Sequence, residues 1–315
     1  MRYRPLGTSG CKVSVLGLGS WLTLGSSVDQ RTTTAIVRAA LEGGINFFDT
    51  ADVYARGEAE LVLGRALAGV RRQDLVLATK LFWPMSENVN DRGLSRKHVF
   101  ESCHASLHRL GTDYLDLYQC HRPDAGTPVE ETVRAMEDLV RQGKVLYWGV
   151  SVWDAEQIGA ACESADRWLG YRPVSNQPEY SYLQRSIEAE VVPVCLALGL
   201  SQVVWSPLAQ GLLTGKYAGG RIPPGSRGAD EKRNKFLQPM LTRENLARAA
   251  HLAGVAAEVG LTSAQLALAW VLAQPNISSA ITGATRVEQL SENLAAADVD
   301  LSPATLERLA AAPAA

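Results

Sequence analysis

Asp49, Tyr54, Lys80 and His121 have the residue types of a proton-transfer set. A phenol titrates near pH ~10, so it can donate a proton at neutral pH but releases it poorly. An adjacent ammonium stabilises the phenolate and lowers that value, and a carboxylate behind the ammonium keeps it charged and in place. Tyr54, Lys80 and Asp49 suit those parts, while His121 could direct a carbonyl by hydrogen bonding and share the proton. Positioned proton donation of this kind contributes roughly 10²–10⁴-fold. The chemistry it suits is carbonyl reduction, where hydride arrives on carbon and a proton on oxygen. Taken singly, each residue has a plain structural use. Asp49 reads as a cap, Lys80 as a solvated charge, and Tyr54 and His121 as polar groups satisfied in place. Position decides between the readings, because all four stand at or just past apolar, β-rich runs.

Those runs, at 15–19, 45–48, 75–79, 115–120, 145–150, 174–176, 202–205 and 278–282, alternate with helical patterns. The helical patterns occupy 32–41, 58–67, 95–110, 128–142, 154–168, 186–198, 243–259, 263–273 and 303–311. In the third, Val99, Cys103, Ser106, Leu107 and Leu110 share one face, Ser95 is the N-cap and Gly111 the stop. Repeats of this kind over about 250 residues plus extensions predict an α/β fold, the (β/α)8 TIM barrel, as a single domain over 1–315. Residues 2–16 predict an N-terminal β-hairpin. Residues 209–240, rich in Gly, Pro and charge, predict a long loop after the seventh strand, of the sort that is usually functional. The last helical runs supply extra C-terminal helices. In such barrels, polar residues at strand C-termini face the site. The strand ends here offer Asp49, Lys80, Gln119, His121, Ser151, Asn176, Gln177 and Ser206. The rival dinucleotide fold needs three glycines opening a helix. Gly17 and Gly19 are present, but Leu22 stands in the third place and no helix opens there, so that fold is rejected.

With 31 Lys+Arg against 33 Asp+Glu and pI ≈ 6.2, the chain lacks the electrostatic footprint of a nucleic-acid binder. Its 46% hydrophobic and 20% charged residues argue against disorder. The longest apolar stretches are strand-sized, so no membrane insertion is expected, and no secretory signal opens the sequence. Five scattered cysteines, never paired as C-x-x-C, predict free thiols in a reducing, cytoplasmic setting. His104 and His108 stand one helical turn apart without a third ligand, so no metal site is expected. Strand alternation turns Cys120 away from the His121 side, toward the helices.

The segment Asp49-Thr50-Ala51-Asp52-Val53-Tyr54, with Lys80 and His121-Arg122-Pro123, resembles the catalytic tetrad of the aldo-keto reductase superfamily. The likeness runs from Arg4-Pro5-Leu6-Gly7 to Gly283-Ala284-Thr285 and Glu288-Gln289-Leu290-Ser291-Glu292-Asn293. Through Gly93-Leu94-Ser95-Arg96-Lys97-His98 and Thr127-Pro128-Val129-Glu130-Glu131 it is closest to the branch containing voltage-gated potassium channel β subunits. The resemblance implies that Tyr54 is the general acid, Lys80 tunes it, Asp49 holds Lys80 and His121 orients the carbonyl of a small-molecule substrate. It also implies NADPH as cofactor. Ser151 and Gln177 would hold the nicotinamide carboxamide, with Trp205 stacked on the ring and Trp21 beside it. Ser206, Pro207, Leu208, Gln210, Gly211 and Lys216 would line the pyrophosphate. Gly283, Thr285, Gln289, Glu292 and Asn293 would line the adenosine end. Arg227, with Arg286, would meet the 2′-phosphate, and arginine's planar fork favours NADPH over NADH there. Apart from the likeness, Arg227 and Lys216 read as solvated loop charges. Trp21, Phe82 and Trp83 read equally as an apolar pocket wall or as rim packing.

Two positions depart from the pattern. Val152 follows Ser151 where many members carry Asn, and His121 stands where the channel subunits carry Asn. The branch likeness implies a homo-oligomer and a second use, NADP(H)-binding redox sensing for a membrane partner. His121 and the lack of a long N-terminal extension set the reductase ahead. A third use, Lys80 as a Schiff-base nucleophile, is opposed by Asp49, which keeps the amine protonated.

Overall fold

The computed structural model describes residues 1–231 and 234–311. It opens with an antiparallel hairpin, β1 (Tyr3–Pro5) against β2 (Lys12–Ser14). Eight parallel strands then close into a barrel: β3 (Leu16–Gly19), β4 (Phe47–Asp49), β5 (Val76–Leu81), β6 (Leu115–Cys120), β7 (Val145–Val150), β8 (Ser175–Asn176), β9 (Ser201–Val204) and β10 (Ile277–Thr282). Each pairs with the next, and β10 returns to β3. The expected (β/α)8 barrel is therefore present, with every strand within two residues of its expected ends. The helices are α1 (Gln30–Glu42), α2 (Glu58–Leu67), α3 (Arg96–Leu110), α4 (Val129–Arg141), α5 (Ala155–Arg167), α6 (Val191–Leu198), α7 (Arg243–Glu258), α8 (Ser263–Ala273), α9 (Val287–Leu294) and α10 (Pro303–Ala310).

Local chemistry sets several of these boundaries. The Ser95 hydroxyl accepts from the His98 amide at the start of α3, and Gly111, at φ 65°, ends it. Capping boxes at Asp154/Gln157 and Thr262/Gln265 start α5 and α8. The continuous helix expected over 186–198 is broken. Ser186–Glu188 forms a single 3₁₀ turn and the chain restarts as α6. Pro193 is the cause: without an N–H it cannot bond back to residue 189, but it is tolerated in the first turn of a new helix. The loop after β9 is the expected one, built from short 3₁₀ turns, and the eight-residue helix α9 was not expected from the pattern. The second of the two helices before β10, α8, packs on that strand, while α7 packs on α8 and α10 and is the supernumerary one.

Strand alternation sorts the core. Phe47, Val76, Ala78, Leu117, Val203 and Ile281 fill the lower barrel, and Leu6 and Val13 of the hairpin join them from below. Arg4 fixes that plug by donating to the carbonyls of Ile277 (2.7 Å) and Leu272 (2.8 Å). Gly7 is required there: its φ is 54°, and a Cβ would lie 2.4 Å from the Gly199 carbonyl oxygen. Outward-facing residues, Phe48, Leu77, Tyr118 and Cys120 among them, pack against the helix ring. With its lower end closed, the barrel is open to a ligand only at the carboxyl ends of its strands. All five cysteines are free thiols, and among the described residues no single helix is long and apolar enough to cross a membrane.

Candidate active site

Above the apolar layer, the same alternation brings Asp49, Lys80, Gln119 and Gln177 together inside the barrel. Lys80 is fully buried, and its ammonium donates to Asp49 Oδ2 at 2.6 Å and to the Thr50 carbonyl at 2.8 Å. Its Nζ lies 3.5 Å from the Tyr54 hydroxyl. The other oxygen of Asp49 accepts from the Gln177 amide at 2.9 Å and the Gln119 amide at 3.5 Å. The Tyr54 ring meets the His121 ring edge-on, with centroids 5.7 Å apart. The four residues of the expected proton-transfer set are thus contiguous. Tyr54 is held there by a tight turn in which Ala55 and Arg56 are left-handed, at φ 49° and 54°. Strained backbone of this kind persists where surrounding structure over-determines it.

The ionisation of the set follows from its burial. Burial pushes the Tyr54 phenol up, Lys80 pulls it down and Asp49 opposes Lys80, for a net rise. Lys80 acts in the direction the sequence predicts, but burial outweighs it, so the phenol keeps its proton at neutral pH. Burial pulls the Lys80 ammonium down, yet Asp49 and then Tyr54 more than reverse this, and Lys80 stays charged. His121 is pushed well below the usual histidine range, first by burial and then by Lys80 and Arg122. It is therefore a neutral imidazole, with Nδ1 buried and unpartnered.

The residues expected at a cofactor fall along the neighbouring strand ends. The Ser151 hydroxyl donates to the Gln177 main-chain carbonyl at 2.8 Å, and the Gln177 side chain reaches Asp49. Gln177 commits its amide nitrogen to Asp49 and Gln119, while its Oε1 has no partner among the described residues. Trp205 packs edge-on against Trp21 at 6.3 Å, and Trp21 meets Phe236 of the long loop at 4.8 Å, so Trp21 is part of the rim wall. Past Pro207 and Leu208, the Gln210 amide donates to Ser206 Oγ and accepts from Arg227, which ties the loop back to the strand end. Ser206, Ala209 and Gln210 are all left-handed, and Gly211 at φ 94° leaves a gap that a Cβ would close against Lys216 Nζ at 2.9 Å. Beyond β10, Thr285 donates through its amide and hydroxyl to Gln289 Oε1, at 2.9 and 3.1 Å. Gly283, Arg286 and Glu292 are exposed on that segment, and Asn293 is buried on α9. Asn176 is not part of the site: its amide donates to Gln202 Oε1 instead.

A sequence model described as the aldo/keto reductase family matches residues 15–313. The chain belongs to the aldo/keto reductase family. An Arabidopsis thaliana protein named "Probable voltage-gated potassium channel subunit beta" is 46% identical, over 98% of this chain and 95% of its own. An Oryza sativa subsp. japonica protein of the same name is also 46% identical, over 99% and 96% of the two chains. A counterpart from Schizosaccharomyces pombe is 41% identical, over 98% and 92%. Membership of the family implies oxidoreductase activity, in keeping with a protonated phenol at the mouth of a barrel.

The structure adds residues to this aldo/keto reductase site that sequence reasoning passed over. Gln119, at the end of β6 and two residues before His121, shares its inward face and reaches Asp49. Behind the Tyr54 turn lies a buried carboxylate pair. Glu60 accepts from Thr79 at 2.5 Å and pairs with Arg109 at 2.6 Å, and Asp52 accepts from Ser102 at 2.9 Å. Burial, then Glu60, pushes the Asp52 carboxyl up to about 7 against the hydrogen bond from Ser102. The Arg109 stem also packs against Gly57, where a Cβ would come within 2.8 Å of it. Together these contacts fasten the Tyr54 turn to α2 and α3.

Proposed function

We propose that this aldo/keto reductase uses NADPH to reduce aldehydes, and some ketones, to alcohols, with Tyr54 as general acid. The observation that carries the reading is the buried Lys80 ammonium lying between Asp49 and the Tyr54 hydroxyl. The residues present fit a nicotinamide: Gln177 Oε1 is left to accept from a carboxamide, and the Ser151 hydroxyl lies on the main-chain carbonyl of the same residue. Trp205 offers an aromatic face, and the glycine gap at Gly211 lets backbone approach a phosphate. Lys216, Arg227 and Arg286 supply cations for the phosphates. When bound, the cofactor supplies hydride to the carbonyl carbon. Tyr54, protonated at neutral pH, donates its proton to the carbonyl oxygen as charge develops there. Lys80 then stabilises the phenolate left behind, and Asp49, held by Gln177 and Gln119, keeps Lys80 charged and aimed. Neutral His121 presents an N–H to the carbonyl oxygen and fixes its orientation.

The names of the plant relatives support a second reading, an NADP(H)-binding subunit that reports redox state to a membrane channel. Mixing the protein with 4-nitrobenzaldehyde and either NADPH or NADH, and following cofactor absorbance, separates the two. Turnover with a preference for NADPH is expected. Negligible turnover, together with copurification of a channel, would favour the second reading.

A further inference from the structure

Among the described residues, Arg122 is the one half-buried cation at the mouth of the site that this mechanism leaves without work. It follows His121 directly, at the carboxyl end of β6, and donates to the His121 carbonyl. Among the described residues no carboxylate lies within ion-pairing distance of it. The nearby Asp124 is spent on the amides of Leu94 (2.8 Å) and Gly126 (2.9 Å) and the Thr127 hydroxyl (2.8 Å). The other cation at the mouth, Lys80, is neutralised by Asp49, and His121 is neutral. A partly buried guanidinium without a counter-charge is costly, and such groups are normally paired. Its plane lies near the Trp83 ring, with Cζ 5.7 Å from the centroid. Its charge reaches the reacting group, since Arg122 and Tyr54 each perturb the ionisation of the other.

Arg122 is not placed to meet a cofactor phosphate. The candidate phosphate contacts follow β9 and β10, and in the closed ring of eight strands β6 stands directly across from β10. We infer that Arg122 receives an anionic group of the carbonyl substrate, so that the preferred substrates are short oxo-acids: aldehydes carrying a carboxylate or phosphate a few bonds from the carbonyl. This rests on the reductase reading, with NADPH as the reductant. The aldehyde gains hydride at carbon and the Tyr54 proton at oxygen, its anionic group is unchanged, and the product is the matching hydroxy-acid. Trp83, edge-on to His121 at 6.3 Å, would flank the chain joining the two groups.

The test compares 4-oxobutanoate with butanal, which share a carbon chain and differ in the carboxylate, in the native protein, Arg122→Gln and Arg122→Lys. The readout is the ratio of kcat/KM values, so any effect of the charge on Tyr54 common to both aldehydes cancels. The native protein should prefer the oxo-acid by about tenfold or more, as expected of a charge-assisted hydrogen bond. Arg122→Gln should bring the ratio near one, Arg122→Lys should restore part of it, and the KM for NADPH should not move. Equal use of both aldehydes by the native protein, or a preference that survives Arg122→Gln, would overturn the inference while leaving the reductase intact. A rise in the KM for NADPH with an unchanged ratio would assign Arg122 to the cofactor instead. Absence of turnover with either aldehyde would remove the reductase reading itself.

Discussion

The Lys80–Asp49 pair is open to a double-substitution cycle whose outcome can be worked out beforehand. At 2.6 Å the two charges attract by roughly 6 kcal/mol at an effective dielectric of about 20. Removing both from water costs several kcal/mol per ion, so the pair as a whole is close to break-even. Either single change leaves the other charge buried alone. In Asp49→Asn the ammonium can escape by losing its proton, which at pH 7 costs about 5 kcal/mol and caps the penalty. In Lys80→Met the carboxylate keeps two amide donors, Gln177 and Gln119, so its penalty falls at the lower end of the about 3–5 kcal/mol expected for a broken buried pair. The double variant buries no charge and should unfold within about 2 kcal/mol of the native protein. Urea unfolding of all four proteins at pH 7, followed by tryptophan fluorescence, gives the coupling. Double-variant destabilisation equal to the sum of the singles would show that the two residues act independently, and would refute the electrostatic account of why Lys80 stays charged.

Three further outcomes follow from the same geometry. The folded protein holds the Asp52 proton up to about pH 7, whereas an unfolded chain releases it near pH ~4. Stability therefore falls as pH rises through that window, by roughly 4 kcal/mol when complete. Asp52→Asn, which does not titrate, should match the native protein at pH 4.5 and exceed it at pH 8; equal melting temperatures at both pH values would contradict this. Arg227→Ala should lower the NADPH-over-NADH ratio of kcat/KM by about tenfold or more if it meets the 2′-phosphate, and an unchanged ratio would remove it from that role. Gly7→Ala, which drives a methyl into the Gly199 carbonyl at a positive φ, should lower the free energy of unfolding by more than about 1 kcal/mol without changing kcat. A loss of kcat instead would show that the hairpin plug reaches the site.

How far the sequence alone could be read depended on the range of the contact. The strand ends were legible because alternation is a local rule, and it placed Asp49, Lys80 and His121 on the same side of the barrel wall. Gln119 obeys that rule and was visible in principle, two residues from His121. The Asp52, Glu60 and Arg109 cluster was not, because it joins residues up to 50 apart in the chain through outward-facing side chains. The break before α6 was local and readable from Pro193, while α9 lacks the side-chain N-cap and leading proline that mark α10, a helix of the same length. The direction of the Tyr54 shift escaped for another reason. Spacing reveals that a cation can reach the phenol, but only packing reveals how much water has been removed from it, and here the second effect is larger.

The central claim is that the Tyr54 hydroxyl delivers the proton that accompanies hydride. Single-turnover oxidation of bound NADPH by 4-nitrobenzaldehyde, in the native protein and in Tyr54→Phe, tests it most directly. The account predicts a rate lower by roughly 10²–10⁴-fold in the variant with cofactor affinity retained. An undiminished rate in Tyr54→Phe would contradict it.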